Sequence, residues 1–191
     1  MRISYERPWS AEVLRTFVDR FNQRSGGRVP LSYFEESMVN LAVTPDREVV
    51  GGYALRLRAP LRGLLVLPRE WREALERSYP ETDLVEVNGV WLSEEVPPLQ
   101  RLRFWRRLLG DVSKSGRGQL LVWYNHDVAR FRRIYRWFRA EPFYIGPAAG
   151  LKTHASVFVG VAPTASFGPF LRRMAADCLW RQARSLCWQE S

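Results

Sequence analysis

Residues 120–146 read LLVWYNHDVARFRRIYRWFRAEPFYIG. An apolar run ending at Tyr124 stops at Asn125, an arginine-studded segment follows, and a second apolar run, Phe143–Ile145, closes the stretch. Val128, Phe131, Ile134 and Phe138 fall on one face at helical spacing, so the order predicted is strand Gln119–Tyr124, helix Val128–Phe138, strand Phe143–Ile145. Ala155–Val161 reads as another strand, and after Pro169 a last helix carries Leu171, Met174, Ala175, Cys178 and Leu179 on its buried face.

The same alternation continues towards the N-terminus. Arg2–Tyr5 reads as a first strand, and Ser10 caps a helix running to about Asn22 with Val13, Leu14, Phe17, Val18 and Phe21 on one face. A short helix over Tyr33–Met38 leads to a hairpin, Val39–Thr44 and Glu48–Arg58 around the turn Pro45-Asp46-Arg47. Pro68–Ser78 is helical, Leu84–Leu92 is a strand, and Leu99–Ser113 is an amphipathic helix with Leu102, Trp105, Leu109 and Val112 on its stripe.

The chain has 191 residues, 46% of them hydrophobic and 26% charged, which is the length of one ordinary domain and enough apolar material for a core. No basic leader with an apolar run opens it, and no stretch approaches the roughly 18 apolar residues needed to span a bilayer, so a soluble, cytoplasmic protein without a membrane partner is expected. Cys178 and Cys187 are the only cysteines, too few for a disulfide framework or a four-cysteine zinc site. The net charge of +9 favours a polyanionic partner: nucleic acid, an anionic cofactor or an acidic carrier protein. Nearly all the positive charge is arginine, whose planar fork holds phosphate oxygens in pairs, although a GC-rich coding sequence also inflates arginine.

The order of elements resembles the GNAT superfamily of N-acyltransferases over most of the chain. That resemblance implies an α/β (α+β) fold with a mixed central sheet flanked by helices, here with an extra C-terminal helix. It implies a single domain: 1–83 the N-terminal strand, helices and hairpin, 84–161 the donor and acceptor core, 162–191 the C-terminal helix. In the superfamily the fourth and fifth strands, here Leu84–Leu92 and Gln119–Tyr124, splay to admit an acyl-CoA or acetyl-CoA donor, whose pyrophosphate meets the next helix at its N-terminus. Asn125 and Tyr135 match the asparagine and tyrosine of that pattern, the tyrosine protonating the leaving thiolate. Trp91, Leu92, Ser93, Arg101 and Arg103 would line the donor side. The usual Q/R-x-x-G-x-G/A loop is replaced by SEEVPPLQRLRFW, with Arg103 and Trp105 at the glycine positions, so arginines would stand in for amides or the donor differs.

A narrower resemblance is to the Mom family of phage DNA-modifying proteins, which alter the N6 amino group of adenine. It rests on VNGVWLSEEVPP, LLVWYNHD, RIYRW and FYIG, with Trp91, Ser93, Glu94, Pro97, Tyr124, Ile134, Tyr135, Tyr144, Ile145 and Gly146 at matching positions. Gly89 or Val90 departs from a basic residue, and Asn125 from an acidic one. This implies a phage-encoded or mobile-element enzyme acting in a bacterial host.

Glu86, Glu94 and Glu95 are the candidate general bases; Glu86 also reads as an ordinary strand carboxylate, and Glu94 or Glu95 as one that favours the start of the next helix. Tyr135 reads equally as a packed core tyrosine, and Asn125 as a strand-ending residue. Arg106 and Arg107 on one helix, and Arg130, Arg133, Arg136 and Trp137 on another, are candidate DNA contacts, with a solvated basic face as the plainer reading. His126, Asp127 and His154 lack a ligand pattern, and no metal is expected. Three functions stay open: an enzyme placing an acyl-like group on a nucleobase amine (adenine N6 or a hypermodified pyrimidine), a conventional GNAT N-acyltransferase acting on a protein, tRNA or small amine, and a non-catalytic nucleic-acid-binding module.

Overall fold

The structure is a computed structural model, and it describes residues 2–25, 29–128, 132, 138, 140–149 and 156–176. Its elements run β1 Ser4–Glu6, α1 Ala11–Ser25, α2 Leu31–Glu35, β2 Met38–Val43, β3 Val49–Arg56, α3 Arg62–Leu65, α4 Arg69–Ser78, β4 Leu84–Leu92, α5 Pro98–Ser113, β5 Gln119–Asn125, β6 Glu141–Pro147 and β7 Ser156–Pro163. Residues 168–176 are helical. The strands form one seven-stranded mixed sheet in the order β1-β2-β3-β4-β5-β7-β6. Among the described residues no helix is long and apolar enough to cross a membrane.

The chain divides into two compact units, each built from separated stretches: 1–55, 88–109 and 171–191 in one, 56–87 and 110–170 in the other. In the first unit Ser10 caps α1 by accepting from the N–H of Val13 at 3.2 Å. Leu14, Phe17 and Val18 are buried, and they join Val29, Tyr33, Phe34, Val39, Leu41 and Trp91 in one apolar cluster. The β2–β3 hairpin closes with Arg47 at φ 61, and β2 and β3 shift register beside it, between Ala42 and Val43. Helix α5 buries Phe104, Leu108, Leu109 and Val112, whereas Leu102 and Trp105 are half-buried. The stripe is therefore turned from the one expected: Phe104 meets the Tyr53 ring edge-on at 5.6 Å and takes the place assigned to Trp105.

The second unit holds its own cluster, with Leu61, Leu64, Leu67 and Leu75 over Leu84, Leu121, Val157 and Val159. Its parallel ladder, β4 against β5, covers three pairs, Leu84↔Gln119, Val85↔Leu120 and Glu86↔Leu121, and both strands run on beyond it. β5 then pairs antiparallel with β7 along its whole length, and β6 borders β7. The four-residue helix α3 was not expected: one turn carries no periodicity to detect.

Candidate active site

The first unit supplies the junction of β4 with α5. Gly89 sits at φ 65 inside β4, and its N–H donates to Asn88 Oδ1 at 2.9 Å. A Cβ there would stand 2.6 Å from Phe34 Cε1, so both conformation and space require glycine. Two residues on, Trp91 is buried; its ring stacks on Phe17 at 5.9 Å and lies under the Arg24 guanidinium at 5.2 Å. The Trp91 indole N–H and the Asn88 amide nitrogen are buried without a hydrogen-bond partner among the described residues.

Beyond Leu92 and Ser93, both half-buried, the chain turns into α5 around Arg101. The Arg101 guanidinium donates to Val96 O at 2.8 Å, Ser93 O at 3.0 Å and Glu94 O at 2.7 Å. Ser93 N–H is bonded to Val50 O at 2.7 Å, while Val96 N–H turns back to Ser93 O and Glu95 N–H to the Ser93 hydroxyl. Arg101 thus gathers carbonyls and shapes the turn. Pro97 and Pro98 carry no N–H, and the first helical bond, Arg101 N–H to Pro97 O at 3.0 Å, leaves the N–H groups of Leu99 and Gln100 without an acceptor inside the helix. Those two amides, at the positive end of a 16-residue helix, are what the turn offers an anion in place of a glycine cradle. Glu94 is exposed on the same turn.

Arg103, Arg106 and Arg107 are exposed along α5. Arg103 and Arg107, one turn apart, flank Phe104, on which the Tyr5 ring of β1 rests at 6.4 Å. Burial pushes the Tyr5 phenol up to about 12, against the opposing pull of the Arg103 and Arg107 charges.

In the second unit Glu86 is fully buried on β4. Its carboxylate accepts from the N–H groups of Arg62 and Gly63, both at 2.8 Å, and from the Trp123 indole N–H. It therefore caps α3, a role the strand pattern could not reveal because the donors come from a one-turn helix 23 and 24 residues earlier. A Cβ on Gly63 would stand 2.8 Å from Leu121 and 2.9 Å from Trp123, so the glycine lets the amide come this close. Asn125 ends β5 as an Asx turn: its Oδ1 accepts from Asp127 N–H at 2.9 Å, and Asp127 Oδ2 accepts from Ser156 N–H at 2.9 Å. Tyr124 stacks on Phe158 at 4.8 Å, and His126 lies over the same ring at 6.5 Å.

The structure thus gathers Trp91, Leu92, Ser93, Glu94 and Arg101 at one junction, puts Arg103 beside Tyr5, and places Glu86 and Asn125 in the other unit. Tyr135, Arg130, Arg133, Arg136, Trp137 and His154 lie outside the described residues. Among the described residues no group of three or more His, Cys, Asp and Glu is arranged to hold a metal ion.

Several solved structures of N-acyl- and N-acetyltransferases share this fold. The N-acyl amino acid synthase FeeM from uncultured soil microbes superposes with a TM-score of 0.64 at 11% identity, covering 87% of this chain and 93% of that one. The ribosomal-protein-S18-alanine N-acetyltransferase from Escherichia coli gives 0.57 at 10% identity over 85% and 94%. The putative acetyltransferase yncA from Salmonella typhimurium, solved with its cofactor acetyl-CoA, gives 0.57 at 10% identity over 86% and 95%. The chain has the GNAT fold. No protein-family model and no curated protein matches it. At these identities the likeness carries the GNAT architecture and leaves the chemistry to the residues.

Proposed function

We propose that the protein is an N-acyltransferase that uses an acyl thioester such as acyl-CoA or acetyl-CoA and delivers the acyl group to an amine on a nucleobase of DNA, as a phage-type modification enzyme does. The observation that carries the transferase reading is the junction of β4 with α5. There a strand end is drawn by Arg101 into the N-terminus of a 16-residue helix, the place where an anionic donor group is stabilised by free amides and the helix dipole. Leu99 and Gln100 would hold the pyrophosphate. Glu94, exposed at the turn, would accept the amine proton as the nitrogen attacks the thioester carbonyl. The C–N bond forms as the C–S bond breaks, and the departing thiolate takes a proton, the role assigned to Tyr135. The DNA acceptor is supported by the net charge of +9 and by the exposed arginines 103, 106 and 107 on α5.

A second reading is a conventional acyltransferase on a small amine or protein terminus. It is favoured by the amino acid and the ribosomal-protein alanine named as acceptors in the FeeM and Escherichia coli structures. One experiment separates the two. The intact chain and its Glu94→Gln and Tyr135→Phe variants are expressed in bacteria, cellular and plasmid DNA and DNA with amine-bearing bases are exposed to each, and the nucleosides are analysed by mass spectrometry. A new nucleoside mass made by the intact chain and reduced in both variants supports the proposal. Unmodified DNA together with acyl transfer from a radiolabelled thioester to amino acids, peptides or tRNA overturns the DNA acceptor and favours the second reading.

A further inference from the structure

We propose that Tyr5, Arg103 and Arg107 form a phosphate-binding site that grips a backbone phosphate of DNA, a role that takes Arg103 away from the donor side where the sequence resemblance put it. The inference rests on the nucleic-acid reading above only for what carries the phosphate; the site itself rests on geometry.

Tyr5 lies on the three-residue edge strand β1, and its ring rests on Phe104 of α5. Its hydroxyl oxygen is buried, yet among the described residues no donor or acceptor reaches it. A buried hydroxyl without a partner is costly, so such groups are kept where something from outside completes them. The groups flanking Phe104 on the helix are Arg103 and Arg107, both exposed and one turn apart on one face. Neither guanidinium can accept a hydrogen bond, so neither satisfies the Tyr5 O–H. An acceptor-only anion such as phosphate answers both an unpartnered O–H donor and the two cations whose charges act on it. The raised phenol value fits this assignment, because the hydroxyl keeps its proton, and so its donor, at every physiological pH despite two cations nearby. A phosphodiester in a polyanion suits the exposed arginines of α5 in a chain of net charge +9.

The test uses the full chain labelled with 3-fluorotyrosine, with the Tyr5 resonance identified by its absence in Tyr5→Phe. Inorganic phosphate and a short DNA duplex are titrated separately while fluorine NMR follows Tyr5 and anisotropy follows DNA binding. The Tyr5 resonance should shift saturably with the duplex, and Arg103→Gln and Arg107→Gln should abolish that shift. Tyr5→Phe, which changes no charge, should weaken duplex binding roughly tenfold, as loss of a hydrogen bond to a charged group does. Each arginine variant should reduce the slope of log affinity against log salt by about 1. Arg106→Gln should reduce the slope equally and leave the Tyr5 shift intact, which separates the site from general basic attraction. A duplex that binds without moving Tyr5, with Tyr5→Phe binding equally well, overturns the site while the DNA reading stands. A saturable Tyr5 shift with inorganic phosphate but no duplex binding keeps a phosphate site and overturns DNA as its source. No response to either ligand overturns the inference entirely.

Discussion

Glu86 offers two roles that leave different marks. As the cap of α3 it receives two backbone N–H groups and the Trp123 indole, and charged acceptors of this kind contribute roughly 1.5–3 kcal/mol per bond. Glu86→Gln sets an amide NH2 against those donors and should cost about 3 kcal/mol in chemical denaturation. Trp123→Phe should cost about 1–2 kcal/mol, and the double variant less than the sum, since both remove the same bond. A general base would show the opposite pattern, unchanged stability with a collapsed kcat. Tyr5 makes a prediction in pH. Its phenol is raised from 10.0 to about 12 in the folded chain, so across that interval the folded protein keeps a proton that the unfolded chain has released. Stability therefore falls as pH rises through the interval, and Tyr5 contributes no slope below it. Tyr5→Phe removes the unpartnered hydroxyl, so it should raise stability by about 1 kcal/mol near neutrality, and it should flatten the decline in urea midpoint between about pH 10 and about pH 12.

At the scale of elements, two glycines test how much backbone freedom the fold uses. Gly89→Ala must hold φ 65 and push a methyl to 2.6 Å from Phe34, so a loss of about 2–4 kcal/mol is expected from strain plus overpacking. Gly110, inside α5, has nothing within 4 Å of an added Cβ, and Gly110→Ala should raise stability by about 0.5–1 kcal/mol. Thermal melts of the two variants, moving in opposite directions, check both. The long elements were legible because they are periodic: β4 falls on Leu84–Leu92 as read, α5 begins one residue before the expected Leu99, and the capped α1 runs three residues past Asn22. What escaped the sequence was non-local. Helix α3 is too short to repeat, and the α5 stripe turned because Phe104 met Tyr53, with two helices and a strand between them in sequence. The site was legible in the same measure. The segment Trp91–Arg101 was recognisable as a strand end entering a helix. Nothing in its letters revealed that Arg101 would gather three carbonyls, or that Arg103 would stand beside Tyr5.

For the whole molecule, the sheet order and the division of the chain have a consequence for how it can be cut. One compact unit is assembled from 1–55, 88–109 and 171–191, the other from 56–87 and 110–170. No single scission yields a piece that contains either unit entire and leaves the other intact. A break after residue 109 strands 56–87 from 110–170, and a break after residue 55 orphans the β1–β3 hairpin region from 88–109. Limited proteolysis should therefore show the full-length band giving way directly to small peptides, with no long-lived half-sized fragment; a persistent fragment of about half the mass would contradict this. Expressed as separate halves, the chain should be recoverable only by mixing complementary pieces. A cell would thus hold the complete protein or its debris, with no folded remnant of either unit left behind.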